Sequence, residues 1–149
     1  MEVHMGYHPR IETTNIANLT TTRTRNSELW FVNNPKLEER LLATLAKCQG
    51  RYSVNLYAAG IEGNHMHTVS RFPGANRASF MRDVNSATAL LVQRYAKDYP
   101  GGRLWDRRYS TEYLLDDEAI ERYFFYTVLQ PVQDGLVDRI SDYPGYNCF

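Results

Sequence analysis

Between Arg51 and Pro73 the chain reads RYSVNLYAAGIEGNHMHTVSRFP, two short runs rich in β-branched and aromatic residues on either side of Glu62-Gly63-Asn64. Runs of this length parted by a turn-forming Gly-Asn pair read as a hairpin, the first strand ending about Gly60 and the second running from about His65 to Phe72. Hairpin strands pair antiparallel and need no crossover helix, so an all-parallel sheet is excluded at the centre of the molecule. Every other element has to be arranged around that pair.

Helical periods flank it. Upstream, Asn34 as N-cap and Pro35 at the first helical position precede Leu37, Leu41, Leu42 and Leu45, with Gly50 as the stop. Downstream, Phe80, Val84, Ala87, Leu91 and Tyr95 recur every three to four positions and predict the longest helix within 76–99. A first strand is expected in NIANLTTTRTRNSELWFV, alternating through Leu19, Thr21, Arg23 and Arg25, and another in RLWDRRYSTEYLL. A third helix opens on the acids of DDEAIERYFFYTVLQP, which suit the positive end of a helix dipole, and is ended or bent by Pro131 and Gly135. The order β, α, β, β, α, β, α predicts an α+β fold: a single domain with a central, largely antiparallel sheet flanked by helices. Residues 1–10 carry no period and read as a loose lead-in.

With 149 residues, 43% hydrophobic and 23% charged, the chain is long enough for one substantial core and lies outside the disordered and membrane classes. No run of about 18 apolar residues exists to span a bilayer, and MEVHMGYHPR lacks the apolar stretch of a signal peptide. These features predict a soluble, intracellular protein, with Cys48 and Cys148 as free thiols. Zero net charge argues against a non-specific nucleic-acid binder, yet charge is unevenly spread. Arg71 to Arg108 carries eight basic residues against three acids, and from Ser110 onward eight acids face two arginines. An anionic ligand is to be sought on the basic middle segment.

On a strand, His65 and His67 point the same way with Cβ atoms roughly 7 Å apart, while Met66 faces the core. Two imidazoles can converge on one cation from that spacing, although such pairs are more often packed or solvent-facing residues. On the third helix, Ile120, Tyr123, Phe124, Thr127 and Val128 form the face expected to be buried. Tyr126 and Gln130 fall on a separate stripe, one turn apart, and point at the same thing. Taken alone, an aromatic at the core edge and a helix-terminal glutamine account for them more simply than a shared site does. Arg23, Arg25, Arg71, Arg82, Arg94, Arg107 and Arg108 are candidates for phosphate contacts, and Trp105 and Tyr109 for stacking on unpaired bases.

Four segments together resemble the single-tyrosine HUH transposases, a group that includes the REP-associated tyrosine transposases and relatives in insertion sequences. They are YAAGIEGNHMHTVSRF, LWDRRYSTEYLLDDE, YTVLQPVQDGLV and DYPGYN, in the family's order over most of 51–147. Gly63 stands where the family commonly has proline. Gln130 stands where the REP-associated branch usually has asparagine and the insertion-sequence branch glutamine. The resemblance implies an HUH/Rep-like, ferredoxin-like domain over 1–149, with His65, His67 and Gln130 as ligands of a divalent cation, magnesium or manganese. It implies Tyr126 as nucleophile, a 5′-phosphotyrosine intermediate, and cleavage and rejoining of single-stranded or hairpin DNA. Arg23, Arg25, Arg71, Arg82, Trp105, Arg107 and Arg108 then become expected DNA contacts. A bacterial cytoplasmic location on the nucleoid, no membrane partner and a possible homodimer also follow. Competing expectations are a domesticated binder of DNA or RNA hairpins that does not cut, and a metal-dependent phosphodiesterase using water.

Overall fold

The computed structural model describes residues 10–145, so all but the last residue of the expected lead-in over 1–10, and Cys148, lie outside the described residues. The predicted order of elements is found: β1 (Ala17–Arg23), α1 (Pro35–Tyr52), β2 (Asn55–Glu62), β3 (His65–Arg71), α2 (Arg77–Tyr95), β4 (Ser110–Leu114) and α3 (Asp117–Gln133). The sheet runs β2-β3-β1-β4 with every neighbouring pair antiparallel. This is the ferredoxin-like arrangement, in which each of two crossover helices links strands separated by one other strand.

Two layers of helix cover the sheet. On one face α1 and α2 enclose the larger core, with Leu37, Leu41 and Leu45 of α1 against Phe80 and Val84 of α2 and Met66 of β3. On the other face α3 packs Ala119 and Val128 onto Ala17, Leu19, Ala58, Val69 and Leu114. Strand alternation therefore sends His65, His67 and Val69 towards α3 and Met66 towards α1 and α2, as expected.

Several boundaries depart from the sequence reading. α1 runs through Gly50 to Tyr52 and stops at Ser53, whose φ of 51° caps it in the left-handed region. β1 ends at Arg23, and Arg25 belongs to a short 3-10 turn over Arg25–Ser27. In α2 the buried stripe is Phe80, Met81, Val84, Thr88 and Val92, one position away from the Ala87, Leu91 and Tyr95 expected. β4 is confined to the last part of its predicted run, because the chain before it makes only a bridge between Trp105 and Thr24. α3 continues through Pro131, and its first turn is capped by the Asp116 carboxylate, which accepts from the Ala119 amide at 2.7 Å.

Candidate metal and tyrosine site

The site is built where the hairpin meets the C-terminal half of α3. Glu62 is the last residue of β2 and His65 the first of β3, and the two are register partners across the Gly63-Asn64 turn. The turn is held by Thr24, whose amide donates to the Asn64 carbonyl (2.9 Å), and by Phe31, whose amide donates to that of Gly63 (3.0 Å). Gly63 suits this approach, since a Cβ there would stand 2.8 Å from Leu29 and Val32 side-chain atoms.

His65 and His67 are 5% and 6% exposed, so they are buried side chains and not residues on a wet strand face. Their rings stand edge to face with centroids 4.7 Å apart. Asn64 decides the tautomer of His65. Its amide nitrogen donates to the Ser27 carbonyl and its oxygen faces Nδ1 of His65 at 2.7 Å, so Nδ1 carries the proton and Nε2 carries the lone pair. His67 Nδ1 is likewise engaged, 2.9 Å from the Thr21 hydroxyl. Burial, reinforced by Arg23, lowers His65 to about 4, and burial with the neighbouring His65 and Arg23 lowers His67 to about 3. Both rings are therefore neutral near pH 7, which is the form that binds metals.

α3 brings the remaining parts. The Tyr126 ring lies 5.7 Å from that of His67, and Tyr123 lies 5.8 Å from Tyr126 on the same side. One turn beyond Tyr126, the Gln130 amide nitrogen donates to both carboxylate oxygens of Asp134 at 3.2–3.3 Å, leaving Oε1 buried and without a partner. Glu62 Oε1 and His65 Nε2 are likewise buried and unpaired. Carboxylate or imidazole atoms of Glu62, His65 and Asp134 all lie within 4.8 Å of one another. These unpaired acceptors, one of them on a neutral imidazole, offer a donor set that suits a divalent cation, with His67 outside the group of atoms within 4.8 Å of one another. Glu62 reaches 3.8 Å from His65 Nε2, but with the ring neutral this contact is not an ion pair near pH 7. Burial and the adjacent Asp134 push the Glu62 carboxyl up to about 7.

Beside the site a cleft of about 580 Å³ opens between α3, β1 and β4, lined by Arg23, His67, Glu112, Tyr123 and Tyr126 among others. Of the expected DNA contacts, four come together at its end. Asp106 donates its amide to the Arg23 carbonyl and Arg25 donates to that of Leu104, which places exposed Arg107 and Arg108 next to exposed Arg23 and Arg25. Arg71 stands at the far end of β3, its guanidinium 5.9 Å from the Tyr57 ring, and Arg82 lies on α2, on the other face of the sheet, hydrogen-bonded to Asp83. Trp105 packs against Phe31 and donates its indole N–H to the Asn85 carbonyl of α2, so its ring faces that layer. Tyr109 is buried in the same core. Cys48 is a buried free thiol.

Glu62, Asp134, Thr21 and Asn64 were missed in the sequence. Glu62 was legible in principle: a two-residue turn makes it the cross-strand partner of His65. Asp134 follows Gln130 by four on a helix, the spacing of a Gln–Asp pair.

The family model described as "Transposase IS200 like" matches residues 14–124. The chain belongs to the IS200-like transposase family. Its match covers both histidines and ends just before Tyr126. Among solved structures, one titled as the REP-associated tyrosine transposase bound to a REP hairpin superposes with TM-score 0.78 at 17% identity, over 95% of this chain and 81% of that one. A putative transposase from Deinococcus radiodurans R1 superposes with TM-score 0.55 at 15% identity, over 90% and 97%. At these identities the likeness is one of fold. Among proteins of curated function none matches. Membership makes the protein a transposase of a DNA-cleaving family, and no helix among the described residues is long and apolar enough to cross a membrane.

Proposed function

We propose that this transposase cleaves and rejoins single-stranded DNA at hairpin-flanked sites through a 5′-phosphotyrosine intermediate, with Tyr126 as nucleophile and a divalent cation held by His65, His67 and Gln130. The observation that carries the reading is the junction of α3 with the hairpin: Tyr126 stands 5.7 Å from His67, beside an unpaired Gln130 oxygen and an unpaired His65 nitrogen. The hairpin named for the structural neighbour supports hairpin DNA as the substrate.

The chemistry suits these residues. Of the two tyrosines in the cleft, Tyr123 has its hydroxyl engaged by Glu112, and Tyr126 is the nucleophile; its oxygen forms the new P–O bond as the P–O3′ bond breaks, and the 3′-oxygen leaves and takes up a proton. A neutral phenol is a poor nucleophile, so its proton has to leave as the new P–O bond forms. Magnesium or manganese bound there would supply Lewis-acid polarisation of the phosphate. Because the phosphotyrosyl diester keeps the bond energy, a 3′-hydroxyl of the same or another strand can reverse the step, which is strand transfer. Arg23, Arg25, Arg107 and Arg108 contact phosphates of the strand at their end of the cleft. Pairing of two copies through sheet edges is the accompanying expectation, which light scattering of the DNA-bound protein checks.

The test is incubation with a hairpin oligonucleotide carrying a single-stranded flank, with manganese, followed by a denaturing gel. A covalent protein–DNA band that vanishes in Tyr126→Phe supports the reading. An unchanged band in that variant sinks the nucleophile. Cleavage with free 5′-phosphate and no adduct points instead to metal-bound water, and tight binding without cleavage to a hairpin-binding protein.

A further inference from the structure

We infer that Glu62 is a fourth protein ligand of the cation, so that the site combines neutral nitrogen and amide donors with one buried carboxylate. The inference rests on the cation site proposed above and extends its ligand set.

Three observations meet at Glu62. It is 6% exposed, and one carboxylate oxygen, Oε1, is fully buried without a hydrogen-bond partner. Its other oxygen lies 3.8 Å from His65 Nε2, the ring nitrogen that Asn64 leaves with a free lone pair. No arginine or lysine forms an ion pair with it among the described residues; the nearest cationic influence is Arg23, which is exposed. A buried carboxylate without a cationic partner costs several kcal/mol unless a proton or a metal compensates it. The cost is compounded by Asp134, whose carboxylate stands within 4.8 Å of the same atoms. Two acidic groups and an imidazole lone pair in one pocket are complemented either by a proton shared between Glu62 and Asp134 or by a bound cation, and manganese binding separates the two.

Backbone geometry explains how Glu62 arrives there. β2 alternates Ala58, Gly60 and Glu62 towards α3, and the two-residue turn makes Glu62 the register partner of His65. The carboxylate thus enters from the strand beside the histidines while Gln130 enters from the helix above. Asp134 has a separate role. Its two carboxylate oxygens both accept from the Gln130 amide nitrogen, which leaves the Gln130 Oε1 atom buried without a partner. It is therefore a positioning residue. Adding a carboxylate to two imidazoles and an amide makes the site harder, which favours manganese and magnesium over the softer late transition metals.

The test measures manganese binding to the full chain without DNA, by the loss of the free-ion electron paramagnetic resonance signal, for wild type, Glu62→Gln and His65→Ala. Folding of each variant is checked by thermal unfolding in EDTA, where Glu62→Gln is expected to be no less stable than wild type. Manganese affinity in Glu62→Gln should fall by at least roughly tenfold, since even an outer-shell partner of a metal site is worth about 10–100-fold. His65→Ala should lose binding altogether. Wild-type affinity in Glu62→Gln together with lost binding in His65→Ala overturns the role of Glu62 and leaves the cation site standing. Wild-type affinity in both variants overturns the cation site itself.

Discussion

Asn64 sets the protonation of His65 by offering its oxygen to Nδ1, and through that one hydrogen bond it decides which ring atom is available to a ligand. Protonation is also the residue-scale property with the clearest consequence for stability. Folded-state values of about 4 for His65 and about 3 for His67 lie below the ordinary 6.5, so in that window the unfolded chain binds protons that the folded rings refuse. Glu62 opposes them: raised from 4.5 to about 7, it holds a proton in the folded chain that the unfolded chain has released. Two rings outweigh one carboxyl, so the cation-free protein is expected to lose stability as pH falls from about 6.5 to 4.5. In Glu62→Gln the opposing contribution is gone and the loss over the same window should steepen. Urea midpoints in EDTA at several pH values check this; a shallower dependence in Glu62→Gln contradicts it. Tyr126→Phe removes only a hydroxyl, so the adduct should vanish while the urea midpoint and manganese affinity stay at wild-type values.

At the scale of elements, the approach of α3 to β2 controls whether Tyr126 and Gln130 reach the histidines. Pro131 has no N–H, so the carbonyl of Thr127 lacks its usual helical donor, and that carbonyl faces Gly60. A Cβ on Gly60 would stand 3.2 Å from it, so only glycine lets helix and strand backbones come so close. Gly60→Ala is expected to destabilise by about 1–3 kcal/mol and to slow adduct formation beyond what the loss of folded protein explains, because α3 must lift. Gly50→Ala is the contrast. It lies inside α1 with nothing within 4 Å of a new Cβ, and it should stabilise by about 0.5–1 kcal/mol. Urea denaturation and the gel assay separate the two, and equal effects would remove the argument from close approach. These element-level details were half legible. The cap at Asn34 and the acidic opening of α3 read correctly, since such signals are local, whereas the buried stripe of α2 lies one position from the expected one. The stop at Gly50 did not read correctly, because α1 runs on to Tyr52 and takes its left-handed cap at Ser53, a residue type that does not announce such a cap.

Over the whole molecule, zero net charge coexists with a basic end made by Arg23, Arg25, Arg107 and Arg108. Phosphate binding there predicts that each of these arginines changed to alanine lowers the slope of log affinity against log salt by about one, for a hairpin oligonucleotide between about 50 and 200 mM salt. Arg82→Ala, on the opposite face, should leave the slope unchanged. Fluorescence anisotropy decides, and equal losses for Arg82 and Arg107 would discard this end as the DNA surface.

Sequence patterns alone determined the hairpin, the order of elements, the α+β class and the outward–inward alternation of His65, Met66 and His67, because periodicity and turn chemistry act over a few residues. The tertiary structure decided which distant parts converge. Register made Glu62 the neighbour of His65, the Thr24–Trp105 bridge carried Arg107 and Arg108 to Arg23, and the Gly60–Thr127 contact lowered Tyr126 and Gln130 onto the histidines. Apart from the Glu62–His65 pair, which the turn fixes locally, such contacts depend on strand pairing and helix docking between residues far apart in the chain, which no local pattern encodes.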